Sequence, residues 1–250
     1  MKKRLNYKLL PFLVLAAGTV ALGLYVWLMG TENDKGFIDK FHISAIFLLG
    51  LTGIVVAGVF VFTRNLVKGN HYKFNFPASN LGGLGAWVAA AGILYTSLLE
   101  LPGAADKMAF YSALLGVLAA IALVFVGHCR SKGLHPNVMA HVVICVHLML
   151  RLIVMYRLWS SDPQLYDYCF RLLAVVCAML AVYQRACFDA NCGKRPDYTF
   201  FNLMSIYFCV ICLGGSDRIL YLAIGIWLFT DLCNLSPVQE QSVEENNEAA

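Results

Sequence analysis

Between Val146 and Leu173 an otherwise apolar run carries His147, Arg151, Arg157, Asp162, Asp167 and Arg171. A guanidinium is a rigid fork of N–H donors that matches carboxylates and phosphates two bonds at a time. An ionised carboxylate only accepts, and an imidazole does either. Groups of this kind inside apolar sequence point to two chemistries. In one, the charges neutralise each other and lock neighbouring helices together. In the other, they line a polar cavity that takes a small anionic or zwitterionic molecule.

Other chemistries find less support. His141 and His147 are six residues apart, so on one helix they point about 120° apart and do not clamp one ion. A haem would need one axial histidine from each of two helices; His42 and His147 lie on different segments, but no spacing demands a cofactor, and none is assigned. His128, Cys129, His135, Cys187 and Cys192 are zinc-ligand types, yet their spacing fits no standard motif, and the cysteines read as free surface thiols. Cys209 and Cys212 have CxxC spacing, but they lie deep in a helical segment rather than at a helix N-terminus, where a reactive thiolate is favoured. The run NLGGLGAW from Asn80 to Trp87 lacks the Lys and Ser/Thr of a phosphate loop. HExxH and GxSxG do not occur. A membrane-embedded enzyme is therefore the third reading, after ligand handling and a purely structural or accessory role. No dense basic patch of the kind nucleic-acid binding requires is present.

The elements that must position these residues are transmembrane helices. The chain has 250 residues, of which 60% are hydrophobic and only 14% charged, against about half and a quarter in soluble domains. A spanning helix needs about 20 mainly apolar residues. Eight segments qualify or nearly qualify: 9–30, 42–63, 82–101, 107–128, 137–159, 163–186, 198–214 and 217–234. The last two are short and are separated by Gly214-Gly215-Ser216-Asp217, which is turn chemistry. They read as a tight helical hairpin, with a broken helix pair and seven spans as the alternative. The expected fold is thus an all-α polytopic bundle over residues 1–235 with no soluble domain. Residues 236–250 form an acidic tail without Lys or Arg, which is expected to be disordered. The nine cysteines are odd in number and lie mostly in apolar runs, which argues against a disulfide framework.

The basic start MKKRLNYK precedes an apolar run too long for a typical signal peptide, and the first segment reads as an uncleaved span. Lys and Arg alternate strongly between the two sets of connections, twelve against four. Lys2, Lys3, Arg4, Lys8, Arg64, Lys68, Lys73, Arg130, Lys132, Arg185, Lys194 and Arg195 fall on one side. Lys35, Lys40, Lys107 and Arg218 fall on the other. By the positive-inside rule the N-terminus is cytoplasmic and the protein belongs to the cytoplasmic membrane.

With that orientation the opening stretch becomes an outer hairpin. Asp162 suits an N-cap with Pro163 at the first helical position, and Ser161 with Gln164 makes an alternative capping box. Arg151 lies eight residues before Trp159 and Arg171 eight after Pro163, so both sit about 12 Å below the outer helix ends. Each arginine at such depth costs roughly 2.5 kcal/mol or more on insertion scales and needs a partner. Asp167 precedes Arg171 by four residues, the favourable order. Asp162 and Glu100 are the other carboxylates within reach. The candidate network is His147, Arg151, Arg157, Arg171, Asp167 and Glu100. Close helix contacts are expected at small-residue pairs, Ala17/Ala21, Gly53/Ala57 and Gly85/Ala89, and along the stripe Asn202, Ser205, Cys209 and Cys212.

The sequences RLWSSDPQLYDYCFRLLAVVC (157–177) and YQRACFDANCGKR (183–195) resemble those of uncharacterised bacterial multi-span membrane proteins. The resemblance covers about 40 residues and implies a membrane bundle and no particular activity. The partners expected are the lipid bilayer and a small polar or anionic ligand.

An even number of spans returns the chain to its starting side. A topology reporter fused after Pro237 is therefore expected to read as cytoplasmic; an extracytoplasmic signal there would select seven spans over eight.

Overall fold

The helix ends follow from local chemistry. His42 caps the second helix by accepting from Ser44 N–H, and Ser79 caps the next long one by accepting from Gly82 N–H at 3.1 Å. The helix through Arg130 runs on to Lys132 and stops at Gly133, whose φ of 67° is left-handed, a conformation open to glycine without a Cβ penalty. In the computed structural model, residues 9–30, 42–66, 72–103, 106–159, 165–215 and 217–236 are described, with backbone only at 73, 74, 158, 159 and 165–167.

The described residues are helical throughout, without strands: α1 (Leu10–Met29), α2 (Ile43–Arg64), the single turn α3 (Tyr72–Asn75), α4 (Asn80–Glu100), α5 (Lys107–Lys132), α6 (Val138–Trp159), α7 (Leu165–Asp189), α8 (Arg195–Ile211) and α9 (Arg218–Cys233). A 3-10 turn, Cys212–Gly214, joins the last two. Seven helices are long and apolar enough to cross a membrane. The eighth, α9, has 16 residues and at 1.5 Å per residue reaches about 24 Å. The protein is an all-α bundle of the multi-pass membrane type. The short α3 was not foreseen in the connection between the second and third spans.

Helices α4 to α9 form a closed ring. Each packs on the next, and α9 returns to pack on α4. Helices α1 and α2 lie outside this ring against α8. Two ends can be named from the chain: the lower end, where α5, α7 and α9 finish and α4, α6 and α8 begin, and the upper end, where the reverse holds.

Lipid offers no hydrophobic drive for helix association, so close backbone approach and polar contacts do the work. A Cβ on Gly83 would lie 2.8 Å from the Gly127 carbonyl oxygen, which brings α4 and α5 backbone to backbone. Gly85 faces Thr230, and Gly92 faces Ala223, along the α4–α9 seam that closes the ring. Of the expected pairs, Gly85/Ala89 is buried in this seam and Ala21 is buried on α1. Gly53 and Ala57 are exposed, and nothing lies within 4 Å of a Cβ built on Gly53. That expectation fails because α2 touches the bundle by only a few residues, among them Ser44, Ala45, Leu48 and Val59. Thr52 on α2 adds one polar tie, 3.0 Å from the Tyr207 hydroxyl.

The stripe Asn202, Ser205, Cys209 and Cys212 is fully buried. Its direction is fixed by neighbours. On α8, Val210 and the Tyr207 carbonyl meet Gly18 of α1, whereas the Cys209 Cβ lies 3.5 Å from the Cβ position of Gly225 on α9. Positions 207 and 209 are 200° apart on a helix, so the stripe faces the ring and not α1 or α2.

Leu235 and Ser236 are buried, and Ser236 N–H donates to the Asn75 carbonyl at 3.1 Å. Ser236 thus belongs to the bundle; residues 237–250 lie outside the described ones.

Bulk on a packed ring face is costly. Cys209→Leu and Ser205→Leu are each expected to lower stability by about 1–3 kcal/mol, while Gly53→Ala on the open face of α2 should change it by under about 0.5 kcal/mol. Detergent melting curves for the three variants provide the check.

Candidate functional site

Two ionic networks bridge the inside of the ring, one near each end. At the upper end Arg151 leaves α6 and reaches two helices that α6 does not pack against. Its Nη1 donates to both Glu100 carboxylate oxygens at the end of α4, at 2.9 and 3.1 Å. Its Nη2 donates to Asp217, the residue that precedes α9, at 3.2 Å. The Arg151 side chain is only 6% exposed, whereas those of Glu100 and Asp217 are 41% and 33% exposed. The guanidinium is therefore buried beneath carboxylates that are part-exposed. Arg171 is buried too, and its guanidinium packs on the turn at Gly215, where a Cβ would lie 2.7 Å from Nη2. Both side chains carry their charge from mid-helix Cα positions back to the rim where α4 ends and α9 begins.

One turn below Arg151, His147 is buried, and its Nδ1 lies 3.2 Å from the Ser112 carbonyl of α5. A carbonyl only accepts, so Nδ1 carries the proton and a neutral ring presents Nε2 as an acceptor. That Nε2, the Ser97 hydroxyl on α4 and the Tyr221 hydroxyl on α9 have no hydrogen-bond partner among the described residues. Ser97 and His147 both pack directly on Gly116 of α5, where a Cβ would meet Ser97 Oγ and lie 2.8 Å from His147 Cε1, and Tyr221 is close enough to Arg151 and Asp217 to feel their charge. Buried polar groups are nearly always bonded, and each one left unmet costs about 1–3 kcal/mol. Three such atoms lie around one arginine at this end.

The remaining expected site residues divide. Arg157 is not part of the buried set: it pairs with Asp106 at 2.9 Å, and both side chains are more than half exposed. It snorkels from the last turn of α6. The side chain of Asp167, and all of Ser161, Asp162, Pro163 and Gln164, lie outside the described residues. Among the described residues no His, Cys, Asp and Glu group is arranged to hold a metal. Cys129, expected as a surface thiol, is buried, Cys187 is half-buried and Cys192 is exposed. His42 serves as a helix cap, edge-on to Trp27 at 5.5 Å.

The lower network was missed by the sequence reading. Asp231, near the end of α9, accepts from Arg130 Nε of α5 at 3.2 Å, from Arg185 Nη1 of α7 at 2.6 Å, and from the Tyr198 hydroxyl of α8 at 3.2 Å. Arg130 also donates to the carbonyls of Pro77 and Asn234. Arg195 donates to Asn75 Oδ1 at 3.1 Å and to the Ser236 carbonyl. The Phe76 ring lies against Arg185, with the guanidinium carbon 3.6 Å from its centroid, in contact geometry that favours cation–π attraction. Arg130, Arg185 and Asp231 side chains are 4% exposed or less. Beside them His141 Nδ1 approaches Asp189 Oδ2 to 2.6 Å, both fully buried. Tyr72, on α3 outside the spans, has its hydroxyl pushed above its ordinary pKa by burial, against the pull of Arg185 and Arg130, so its ring meets the Arg185 guanidinium as a neutral phenol.

By sequence, Arg130, Arg185 and Arg195 fall among the cations of the connections. They sit instead at helix ends, turned inward. The signal that was available is Asp231, a lone carboxylate within the apolar run of the last segment; a buried carboxylate requires cations.

No protein-family model matches the chain, and neither a curated protein nor a solved structure shows significant similarity to it.

Removing one member of a buried ion pair costs about 3–5 kcal/mol, whereas exposed pairs contribute about 0–1 kcal/mol. Arg185→Met is expected to lose about 3–5 kcal/mol, and Arg157→Ala less than about 1 kcal/mol. Equal losses in chemical unfolding would contradict the burial contrast between the two arginines.

Proposed function

We propose that the protein is a cytoplasmic-membrane protein, with its N-terminus inside, that binds a small polar or anionic molecule at the upper end of the helix ring. The observation that carries this reading is Arg151. It is buried, it crosses the ring to Glu100 and Asp217, and those carboxylates are part-exposed. Below it lie the unmet polar atoms of Ser97, His147 and Tyr221. An anionic group entering here displaces a carboxylate from Arg151 and accepts from the Tyr221 and Ser97 hydroxyls; a donor on the ligand meets His147 Nε2. The lower network supports a second reading, a structural or accessory subunit, because its charges pair with one another and with backbone carbonyls. The likeness of residues 157–177 and 183–195 to bacterial multi-span membrane proteins belongs to the same proposal.

The test is thermal stabilisation of the full chain in nanodiscs by inorganic phosphate, acetate, glycine and glutamate, each titrated separately. A ligand at 100 times its Kd stabilises by about 2.7 kcal/mol. At least one of the four is expected to raise the melting temperature of the parent, less so Tyr221→Phe, and not Arg151→Gln. Absence of any shift in the parent, or an equal shift in Arg151→Gln, would exclude the proposed site.

A further inference from the structure

The two networks differ in a way that binding alone does not require. Both bridge helices that are not neighbours in the ring: α6 to α4 and α9 above, α5 and α7 to α9 below. Both therefore lie across its axis. The upper one carries part-exposed carboxylates, and the lower one is sealed. Between them the ring-facing stripe of α8 places Asn202, whose side-chain amide is fully buried and has neither its oxygen nor its nitrogen bonded to another described group. Asn202 is seven residues beyond Arg195, about 10 Å along α8 by helical rise. With Tyr221, Ser97 and His147 above it, the ring interior holds unmet polar atoms on α4, α6, α8 and α9. A bundle held together only by packing has no use for them.

The lower seal is a compact device. Asp231 ties α5, α7 and α8 to α9 through three donors. Phe76, in the segment that leads into α4, covers Arg185 and packs edge-on against Phe188 and Tyr198 at 5.3 and 5.5 Å. The segments before α4 and after α9 are clasped by Arg130 and Arg195 through backbone carbonyls and Asn75. These two segments carry the ends of the seam helices that close the ring.

We infer that the ring axis is a path for a small polar solute, and that the Asp231 crossbar with Phe76 is the gate that closes its lower end. The structure is then the form that is shut below and solvent-touched above. This rests on the binding reading at Arg151 and extends it from holding a ligand to passing it.

The experiment is thiol accessibility in the full chain reconstituted in nanodiscs. Asn202→Cys places a reporter on the ring-facing stripe, and Val210→Cys places one on the α1 side of the same helix. A membrane-impermeant sulfonated maleimide is applied. Labelling is read by mass spectrometry of the peptides carrying residues 202 and 210, which leaves the nine native cysteines in place. Asp231→Asn and Phe76→Ala are each combined with each reporter. Opening of the gate is expected to raise the labelling rate at residue 202 by about tenfold or more, with residue 210 unchanged. Where Asp231→Asn does not fold, Phe76→Ala, which leaves the ion network intact, decides. Unchanged labelling at residue 202 in a folded variant overturns the gate, and so does an equal rise at both reporters, because that is general loosening. Ligand-induced stabilisation at Arg151 without gated labelling would leave a receptor site and no conduit; gated labelling without stabilisation by any of the four probes would leave the conduit and remove its assigned ligand site.

Discussion

Asp231 is one carboxylate in a low-dielectric setting with three donors on it, and the lower half of the molecule is arranged around that fact. Two guanidiniums and one carboxylate leave an excess cation, so the remaining N–H groups must go elsewhere. Arg130 sends them to the carbonyls of Pro77 and Asn234. Phe76 offers Arg185 the face of its ring. The α2–α4 connection and the stretch after α9 are thus held by the need to satisfy buried charge, and α4 and α9 are held with them. Gly82, whose Cβ position lies 3.1 Å from Arg130 Nε, supplies the space for that side chain against α4.

The upper half obeys the same rule with a different outcome. Arg151 has carboxylates enough, but these are part-exposed, and the polar atoms below it have no hydrogen-bond partner among the described residues. Charge in the lower network is settled internally; in the upper it is settled at a boundary. Natural proteins retain unmet buried polar groups chiefly where function requires them, and the placement of Ser97, His147 and Tyr221 around one arginine follows that pattern.

The fold was largely legible. Apolar run length located eight helices to within a turn, because lipid makes continuous apolar sequence nearly synonymous with a span. Lys132 and Gly133 moved one boundary, since the helix continues until a residue can adopt positive φ. The upper site was legible in part: Arg151 and Glu100 were singled out by type and depth, and the structure joins them, while Asp217 was read only as turn chemistry. Arg157 was misplaced, because nothing in its spacing distinguishes an inward arginine from one that snorkels. The lower network was illegible to a charge count. Arg130, Arg185 and Arg195 occupy helix ends, where cations are ordinarily exposed, and only the direction of the helix face decides that they turn inward. Facing direction is set by the ring, and the ring depends on α9 meeting α4, a pairing between segments more than a hundred residues apart that no local pattern encodes.

That pairing also sets an order of events during synthesis. Arg130 and Arg185 precede their shared carboxylate by 101 and 46 residues, so both are synthesised before Asp231. Until α9 is in place, the two guanidiniums lack that carboxylate. The last helix is the one that neutralises the earlier ones, and its arrival draws the cations inward and shuts the ring. A chain cut short before residue 231 therefore lacks the carboxylate that Arg130 and Arg185 share, and with it the end of the helix that packs on α4.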